Sequence, residues 1–404
     1  MAAIRGGTPV RDIEAQPWPK WPIYDETEEK ALLEVLHSGA WWSVEGTQGK
    51  LFEQEFAEYQ DAKFGVNCTN GTAALEICLR ALGIGCGDEV IVPPYTFVAT
   101  ASAVLSVSAT PIFVDIQGDT LNIDPLLIEA AITPRTKAII LVHMAGRPAD
   151  LDAILAIARK YNLKLIEDAA QAQGAAWRGT KVGAIGDLGT FSFQASKNLN
   201  SGEGGIIVSN DEALIDAAWS VANVGRVRSG RWYEHRVLGS NFRLTEFQSA
   251  LLRAQMTRLP AQTEKRAENA EYLSSLLTGL AAIQLMAEDE RITTHANHLF
   301  TFRYKSDKFG GVGYKDFVAA LSAEGIPCST GYVPLYSEKL FEQHARRHGT
   351  WCQAGRIVDY PGIKLPQCEA VCQETVWIPQ TALLGTKGDM DDIATALTKL
   401  SKSL

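Results

Sequence analysis

Between residues 64 and 209, short apolar runs alternate with helical patterns, and this alternation constrains the fold more than any other feature. Residues 151–161 place Leu151, Ile154 and Ile157 on one side of a helix, and Asp150 precedes them as a candidate N-cap. The candidate strands are residues 64–68, 89–92, 111–114, 138–142, 163–167, 188–193 and 205–209. This pattern predicts a mostly parallel seven-stranded sheet covered on both faces, with ligands at the carboxyl ends of its strands.

The rest of the chain predicts a second, smaller α/β unit. A long helix begins near residue 261, a strand is expected at 299–304, and helices are expected at 315–323 and 390–400. With 404 residues and a mass of 44.0 kDa, the chain is long enough for two packed cores. We therefore expect an α/β fold in three parts: an N-terminal segment (1–48), a large domain (49–260) and a small C-terminal domain (261–404).

Charge and composition exclude several classes of partner. The net charge of −9 and the pI near 5.4 argue against a nucleic-acid surface. No apolar run approaches a membrane span, and the N-terminus lacks the apolar core of a signal peptide. Cys368 and Cys372 have no nearby His or Cys that would complete a zinc site, so no metal site is expected. The sequence predicts a cytoplasmic protein with reduced thiols.

Lys197 and Asp168 are the candidate catalytic residues. Each is taken to end a short apolar run that predicts a buried parallel strand, so both side chains would emerge at one end of one sheet. A lysine there can form a Schiff base with pyridoxal phosphate, and a carboxylate can keep the pyridine nitrogen protonated. The alternative is a surface lysine and an ordinary strand-end aspartate.

Two further segments suit such a cofactor. Residues 69–72 lie between a predicted strand and a predicted helix at 73–82, where free backbone N–H groups and Gly71 favour phosphate binding. Ser192 offers a hydroxyl near Lys197, and an aromatic residue in 94–97 suits a planar ring. A plain helix cap and core packing explain these segments equally well. Their order along the chain, together with Asp168 and Lys197, favours the cofactor site.

With these residues in place, the chain resembles the sugar aminotransferases named for DegT, DnrJ and StrS, which are pyridoxal-phosphate enzymes with the aspartate aminotransferase fold (fold type I). The similarity runs from about Trp18 to the last predicted helix. Its most specific parts are residues 70–75 (NGTAAL), 92–97 (VPPYTF), 167–172 (EDAAQA), 192–205 and 239–244 (GSNFRL).

The resemblance implies a role for each site residue. Lys197 would be the Schiff-base lysine, and Asp168 the partner of the pyridine nitrogen. Phe97 would stack on the ring, Gln171 would lie near the ring hydroxyl, and Thr72 with Ser192 would bind the phosphate beside Gly71. Asn241 would reach the phosphate of the other subunit, which implies a homodimer with two shared active sites. The N-terminal segment would pack near the active site and the dimer interface.

Four other segments resemble two neighbouring groups in that family. The first group is the glutamine:scyllo-inosose aminotransferases, and the second is 3-amino-5-hydroxybenzoate synthase. The flat faces of Trp41 and Trp42 suit the substrate mouth, or alternatively they pack against a dimer partner. His143 either lies near the site or is a satisfied structural histidine, and the structural reading is favoured. The four segments are residues 38–42 (SGAWW), 143–146 (HMAG), 308–311 (KFGG) and 376–378 (VWI).

The predicted function is a ping-pong transamination that moves an amino group from glutamine or glutamate to a keto-sugar or keto-cyclitol. A 3-amino-5-hydroxybenzoate synthase is the first alternative. Dehydratase relatives carry histidine at the position of Lys197, so the lysine argues against that branch. A non-catalytic relative would lack Lys197 or Asp168. The sequence names no arginine for the donor carboxylate and does not identify the acceptor.

Overall fold

The computed structural model describes residues 1–344 and 357–403. Its largest element is a seven-stranded sheet with the strand order β1-β9-β8-β5-β4-β2-β3. All neighbouring pairs are parallel except those of β9, which runs antiparallel to both β1 and β8. The strands are β1 (Phe64–Cys68), β2 (Glu89–Val92), β3 (Thr110–Phe113), β4 (Thr136–Val142), β5 (Lys164–Asp168), β8 (Leu188–Ser192) and β9 (Gly205–Ser209).

Alternate residues of these strands supply two separate cores. In β4, Ile139 and Leu141 face one core, whereas Ala138 and Ile140 face the other, because successive side chains of a strand point to opposite faces. The first core is covered by α2 (Gln48–Tyr59), α6 (Leu151–Tyr161) and α8 (Glu246–Met256). The second is covered by α3 (Gly71–Ala81), α4 (Ala99–Ser106) and α7 (Glu212–Ala222). The expectation of a mostly parallel sheet buried on both faces is confirmed.

Two smaller sheets complete the described structure. One is antiparallel, in the order β10 (Ile283–Leu285), β12 (Leu299–Tyr304), β14 (Thr375–Pro379) and β13 (Ser329–Thr330). Its core includes residues of α9 (Leu259–Leu277), α10 (Tyr314–Ala323) and α12 (Lys387–Ser403). The other sheet joins β11 (Ile292–Thr294) to β6 (Ala176–Trp177) and β7 (Thr180–Lys181). The sequence does not predict this second small sheet. The remaining helices named here are α1 (Glu26–Ser38), α5 (Pro125–Ala131) and α11 (Pro366–Val371).

Most predicted boundaries are shifted by only a few residues. Helix α3 begins at Gly71 because the Asn70 side chain accepts a hydrogen bond from the backbone N–H of Ala73 (2.8 Å) and so caps it earlier. Helix α6 has the predicted bounds, and the Asp150 side chain caps it by accepting from the Ala153 N–H (3.1 Å). The last helix extends beyond the predicted 390–400 at both ends.

Two expectations need correction. Asp168 ends β5 as predicted, but Lys197 does not end a strand, because β8 stops at Ser192 and Lys197 lies in the loop that leads to β9. The expectation of reduced thiols is wrong for Cys86, which is disulfide-bonded. Cys368 and Cys372 are free, with their sulfur atoms 3.9 Å apart. Across 1–344 and 357–403, the helices are too short or too polar to span a bilayer.

Candidate active site

A cavity of about 930 Å³ opens where β4, β5 and β8 end. Val142, Asp168 and Ser192 are the last residues of these strands, and all three line it. The parallel strands thus bring their carboxyl ends to one site, as is usual for ligand-binding α/β sheets. Seven of the eight predicted site residues line this cavity: Gly71, Thr72, Phe97, Asp168, Gln171, Ser192 and Lys197.

Asp168 presents a buried carboxylate to the cavity. Its Oδ2 accepts a hydrogen bond from the Thr100 hydroxyl (2.8 Å), and its Oδ1 accepts a longer one from the Ala170 N–H (3.3 Å). Burial raises the pKa of Asp168, and the Thr100 hydrogen bond and the positive charge of Lys197 oppose that rise. A positively charged hydrogen-bond donor in the cavity would stabilise the ionised Asp168 carboxylate, which burial has separated from water.

Lys197 enters the cavity from a folded loop between β8 and β9. The Phe193 N–H donates to the Gly204 carbonyl (2.7 Å) and the Ala195 N–H donates to the Gly202 carbonyl (3.0 Å), so the loop doubles back on itself. Burial lowers the pKa of Lys197 to about 8, and the nearby Asp168 carboxylate opposes this shift. A lysine with such a pKa has a large neutral, nucleophilic fraction near pH 8.

The start of α3 forms a tight cradle against the end of β8. A Cβ placed on Gly71 would lie 2.8 Å from the Cβ of Ser192, so only glycine allows this approach. Thr72 is exposed at the same helix end, where the first backbone N–H groups have no partner within the helix. Hydroxyl groups, free N–H groups and the positive end of the helix dipole favour a phosphate group here.

Phe97 and Gln171 lie on other parts of the wall. Phe97 is 56% exposed, so its ring face is available to a flat ligand. The Gln171 side-chain oxygen accepts from the Ala145 N–H (2.7 Å), and its amide nitrogen donates to the Tyr332 hydroxyl (3.1 Å). These two bonds fix the orientation of the Gln171 amide.

Comparison with known proteins decides the family. Residues 22–398 match the model of the DegT/DnrJ/EryC1/StrS aminotransferase family. The chain belongs to this family. It is a pyridoxal-phosphate-dependent aminotransferase with the fold type I architecture. The cradle at Gly71, the buried carboxylate of Asp168 and the amine of Lys197 in one cavity fit that cofactor. The reading of the chain as a non-catalytic relative is therefore excluded.

Individual relatives are similar over nearly their whole length. The chain is 38% identical to L-glutamine:2-deoxy-scyllo-inosose aminotransferase of Streptoalloteichus tenebrarius, with 98% of this chain and 97% of that protein aligned. It is 35% identical to 3-amino-5-hydroxybenzoate synthase of Amycolatopsis mediterranei, with 93% and 95% aligned. A crystal structure of 3-amino-5-hydroxybenzoic acid synthase superposes with a TM-score of 0.87 at 32% identity, covering 98% and 100% of the two chains.

The eighth predicted site residue, Asn241, is not in the cavity of this chain. Its side chain is exposed, and its oxygen is 3.5 Å from the Arg243 N–H, which donates to it. The next residue, Phe242, does line the cavity, and its carbonyl accepts from the Thr69 N–H (2.8 Å). Asn241 thus directly precedes a residue of the cavity wall, but its own side chain is exposed.

Other predicted residues lie outside the cavity. Trp41 is 51% exposed, and its indole N–H donates to the Leu36 carbonyl (3.2 Å). Trp42 pairs with Thr245 in an isolated bridge. His143 is fully buried, with Nε2 3.0 Å from Glu167 Oε2, and its Nδ1 accepts from the Ala149 N–H (3.1 Å). The interpretation of His143 as a structural histidine with satisfied hydrogen bonds is confirmed.

The sequence analysis did not single out the residues that form the rest of the wall. Trp21 comes from the N-terminal segment, and its indole N–H donates to the Ala195 carbonyl (2.9 Å) in the Lys197 loop. Five more lie near β12, β13 and β14, far from Lys197 in the chain, so no local motif connects them to it. They are His298, Tyr332, Trp377, Gln380 and Thr381, of which only Trp377 lies in a quoted motif.

The lowered pKa of Lys197 predicts how cofactor loading depends on pH. Only the neutral amine attacks an aldehyde, and Lys197 is mostly neutral above about pH 8. We expect the rate at which apo-protein captures pyridoxal phosphate to rise with pH and level off above about pH 8. Stopped-flow absorbance measures this rate. A rate that keeps rising toward the ordinary lysine pKa of about 10.4 would contradict the assignment.

Proposed function

We propose that this aminotransferase moves the amino group of glutamine or glutamate to a keto-cyclitol or keto-sugar. The observation that carries the proposal is the 38% identity, over 98% of the chain, to a glutamine-dependent 2-deoxy-scyllo-inosose aminotransferase. The cavity supports it, because the aromatic rings of Trp21 and Trp377 line it together with the polar groups of Tyr332 and Thr381. Flat apolar faces suit the C–H face of a ring, and the polar groups suit its hydroxyls.

In this proposal Lys197 and Asp168 perform the chemistry. With pyridoxal phosphate bound, Lys197 Nζ would hold it covalently, and the freed amine would serve as the general base for the donor's α-proton. Asp168 would accept a hydrogen bond from the protonated pyridine nitrogen of the cofactor and would keep that proton in place. Pyridoxal phosphate, when bound, supplies the electron sink for the charge left on the α-carbon. The acceptor ketone is aminated in the second half of the same ping-pong cycle.

The other predicted residues bind and orient the cofactor. Gly71, Thr72 and Ser192 form the phosphate cradle, which the close packing of Gly71 on Ser192 supports. Phe97 would cover the ring, and Gln171, whose amide is fixed by Ala145 and Tyr332, would lie near the ring hydroxyl. None of these side chains carries a charge at neutral pH, and their part in the proposal is to hold the cofactor in position.

We further propose a homodimer in which Asn241 completes the phosphate site of the partner subunit. The support is the outward position of Asn241 and the exposed apolar side chains just before it in the chain. Trp232, Tyr233 and Leu238 are 75%, 77% and 83% exposed. Exposed apolar side chains grouped in this way are typical of protein interfaces.

Mixed dimers test the shared site. A Lys197→Ala variant should be nearly inactive alone, because it lacks the catalytic amine. An Asn241→Asp variant should be severely impaired alone, because the aspartate would repel the phosphate. After subunit exchange, one site of each mixed dimer carries both lesions and the other carries neither, so about half of the normal turnover per mixed dimer should return. Turnover is measured after mixing and after mock exchange of each parent. If exchanged mixtures stay as inactive as the parents, Asn241 does not act across the interface.

The domain division and the location are also proposals. Residues 1–48 would form an N-terminal segment, 49–260 the large domain around the seven-stranded sheet, and 261–404 the small domain around the antiparallel sheet. A cytoplasmic location would give access to glutamine. It agrees with five free cysteines among the described residues, and the Cys86 disulfide is the exception.

Half-reactions distinguish the acceptor classes. The enzyme is first converted to its pyridoxamine-phosphate form and freed of donor. 2-Deoxy-scyllo-inosose, scyllo-inosose or a nucleotide-linked keto-sugar is then added. Return of the pyridoxal-phosphate absorbance within seconds to minutes identifies the acceptor, and mass spectrometry of the amino product confirms it.

The second candidate function is that of 3-amino-5-hydroxybenzoate synthase. It is favoured by the TM-score of 0.87 to a structure of that enzyme and by 35% identity to a relative of that name. Failure with every keto-cyclitol and keto-sugar, together with aromatisation of an aminoshikimate-type precursor, would assign the chain to that branch.

A further inference from the structure

Arg266 on α9 is a charged side chain buried in the wall behind the cavity. Its relative exposure is 0%, and Tyr59, rather than a carboxylate, is the group among the described residues whose charge acts on its pKa. Its two terminal guanidinium nitrogens have no hydrogen-bond partner in the described part of the chain. Because burial of an unpaired charge is costly, the pKa of Arg266 is lowered to about 9. A bound anion near the guanidinium would offset this cost.

Gln380 connects Arg266 to the cavity. The Arg266 Nε–H donates to the Gln380 side-chain oxygen (2.8 Å), so the opposite end of that amide is its NH₂ group. This NH₂ group is buried and has no partner among the described residues, and Gln380 itself lines the cavity. Trp21, another lining residue, stacks over Arg266, with its ring centroid 5.6 Å from the guanidinium carbon. The Gln380 NH₂ group is thus an oriented hydrogen-bond donor, and the positive charge of Arg266 lies behind it.

His298 is the neighbouring polar group on this wall, and it carries no compensating charge. Asn198 donates its amide N–H to the Ala296 carbonyl (2.7 Å), so the Asn198 side-chain oxygen is the acceptor for His298 Nδ1 (3.1 Å). Burial, with the charges of Lys197 and Arg266, holds the pKa of His298 well below its usual range. The imidazole is therefore neutral, and it leaves the charge of Arg266 unbalanced.

We propose that Gln380, oriented by Arg266, binds the α-carboxylate of the amino donor. The inference rests on the proposed aminotransfer from glutamine or glutamate. The hydrogen bond from Arg266 fixes the orientation of the Gln380 amide, so Gln380 Nε2 donates to a carboxylate oxygen while the guanidinium supplies the opposite charge. Arg266 is a positioning residue, because it lies behind Gln380. Among the described residues of one chain, no arginine lines the cavity directly, and Arg266 is the arginine that Gln380 connects to it.

The two halves of the reaction separate this role from a structural one. The amino donor has an α-carboxylate, whereas a keto-cyclitol acceptor has none. We compare L-glutamine with its α-carboxamide, in which the charged carboxylate is replaced by a neutral amide. The measured quantity is the donor concentration that gives half-maximal conversion of the cofactor. The wild-type enzyme should favour glutamine by about tenfold or more, as expected for one hydrogen bond to a charged group. Gln380→Leu and Gln380→Glu should abolish this preference, and the acceptor half-reaction should be affected much less.

Stability measurements on the apo-protein complete the experiment. Gln380→Glu places a carboxylate beside Arg266, so its melting temperature should equal or exceed that of the wild type although donor binding is lost. Gln60→Leu is the matched control, because it removes a buried glutamine that bonds Val182 and Gly174 outside the cavity. It should keep the preference for glutamine.

Each outcome decides the question. Variants that still prefer glutamine over its amide, or that lose both half-reactions equally, would overturn the carboxylate assignment. A wild-type enzyme that converts with glutamine but shows no such preference would overturn it as well. If no amino acid converts the wild-type cofactor at all, the proposed aminotransfer itself is wrong, which is a different result.

Discussion

Replacing Lys197 with alanine is expected to abolish amino transfer. Lys197 is the only lysine that lines the described cavity, and it faces Asp168 there. Without its amine, the enzyme loses both the covalent hold on the cofactor and the base for the α-proton. We expect turnover to fall by about 10⁴-fold or more, the upper range for a positioned acid–base group. Steady-state assays and the cofactor absorbance spectrum measure both losses.

Lys181→Ala is the matched control. Burial also lowers the pKa of Lys181, but this residue lies outside the cavity. The control variant should keep its turnover and its lysine-linked cofactor spectrum. In the wild type, borohydride reduction followed by peptide mapping should find the cofactor on Lys197. A label on any other lysine would refute the assignment.

Asp168→Asn is expected to give the second-largest loss of activity. An asparagine can still approach the pyridine nitrogen, but it lacks the negative charge that keeps this nitrogen protonated. We expect kcat to fall by about 100-fold or more, which corresponds to a barrier higher by about 3 kcal/mol. The variant should retain most of its bound cofactor, because Lys197 and the phosphate cradle are intact.

The stability of the Asp168 variant provides its control. Burial raises the pKa of Asp168 above that of an aspartate in the unfolded chain. Ionising Asp168 therefore lowers the stability of the folded apo-protein once the pH exceeds the pKa of the unfolded chain's aspartate. Asparagine is neutral at every pH, and the melting temperature of the apo-variant at pH 7 should therefore be unchanged or higher. Near-normal kcat in a folded variant would show that Asp168 is not the partner of the pyridine nitrogen.

The sequence predicts the large sheet well because its signals are local. Each strand is a short apolar run between turn residues, and each covering helix has its own cap, as Asp150 and Asn70 show. The exception is the direction of β9. Its connection to β8, residues 193–204, contains no helix, and such a short link favours an antiparallel pair over a parallel crossover.

The candidate site was predictable only on its sheet side. Asp168 and Ser192 end strands, Gly71 begins a helix, and Lys197 follows in a loop with a recognisable motif. The facing wall is built by Trp21, His298 and Gln380, which reach the cavity through packing between distant parts of the chain. Such contacts have no fixed spacing in the sequence. The significance of Arg266 depends on its burial and missing partners, which only the structure shows.

Transfer of a labelled amino group tests the account most directly. The enzyme is incubated with L-glutamine whose α-amino group carries heavy nitrogen, and with 2-deoxy-scyllo-inosose as the acceptor. The account predicts an amino-cyclitol that carries the label, a matching amount of keto acid, and neither product with Lys197→Ala. An enzyme that forms the keto acid from glutamine yet labels no keto-cyclitol or keto-sugar would contradict the proposed function.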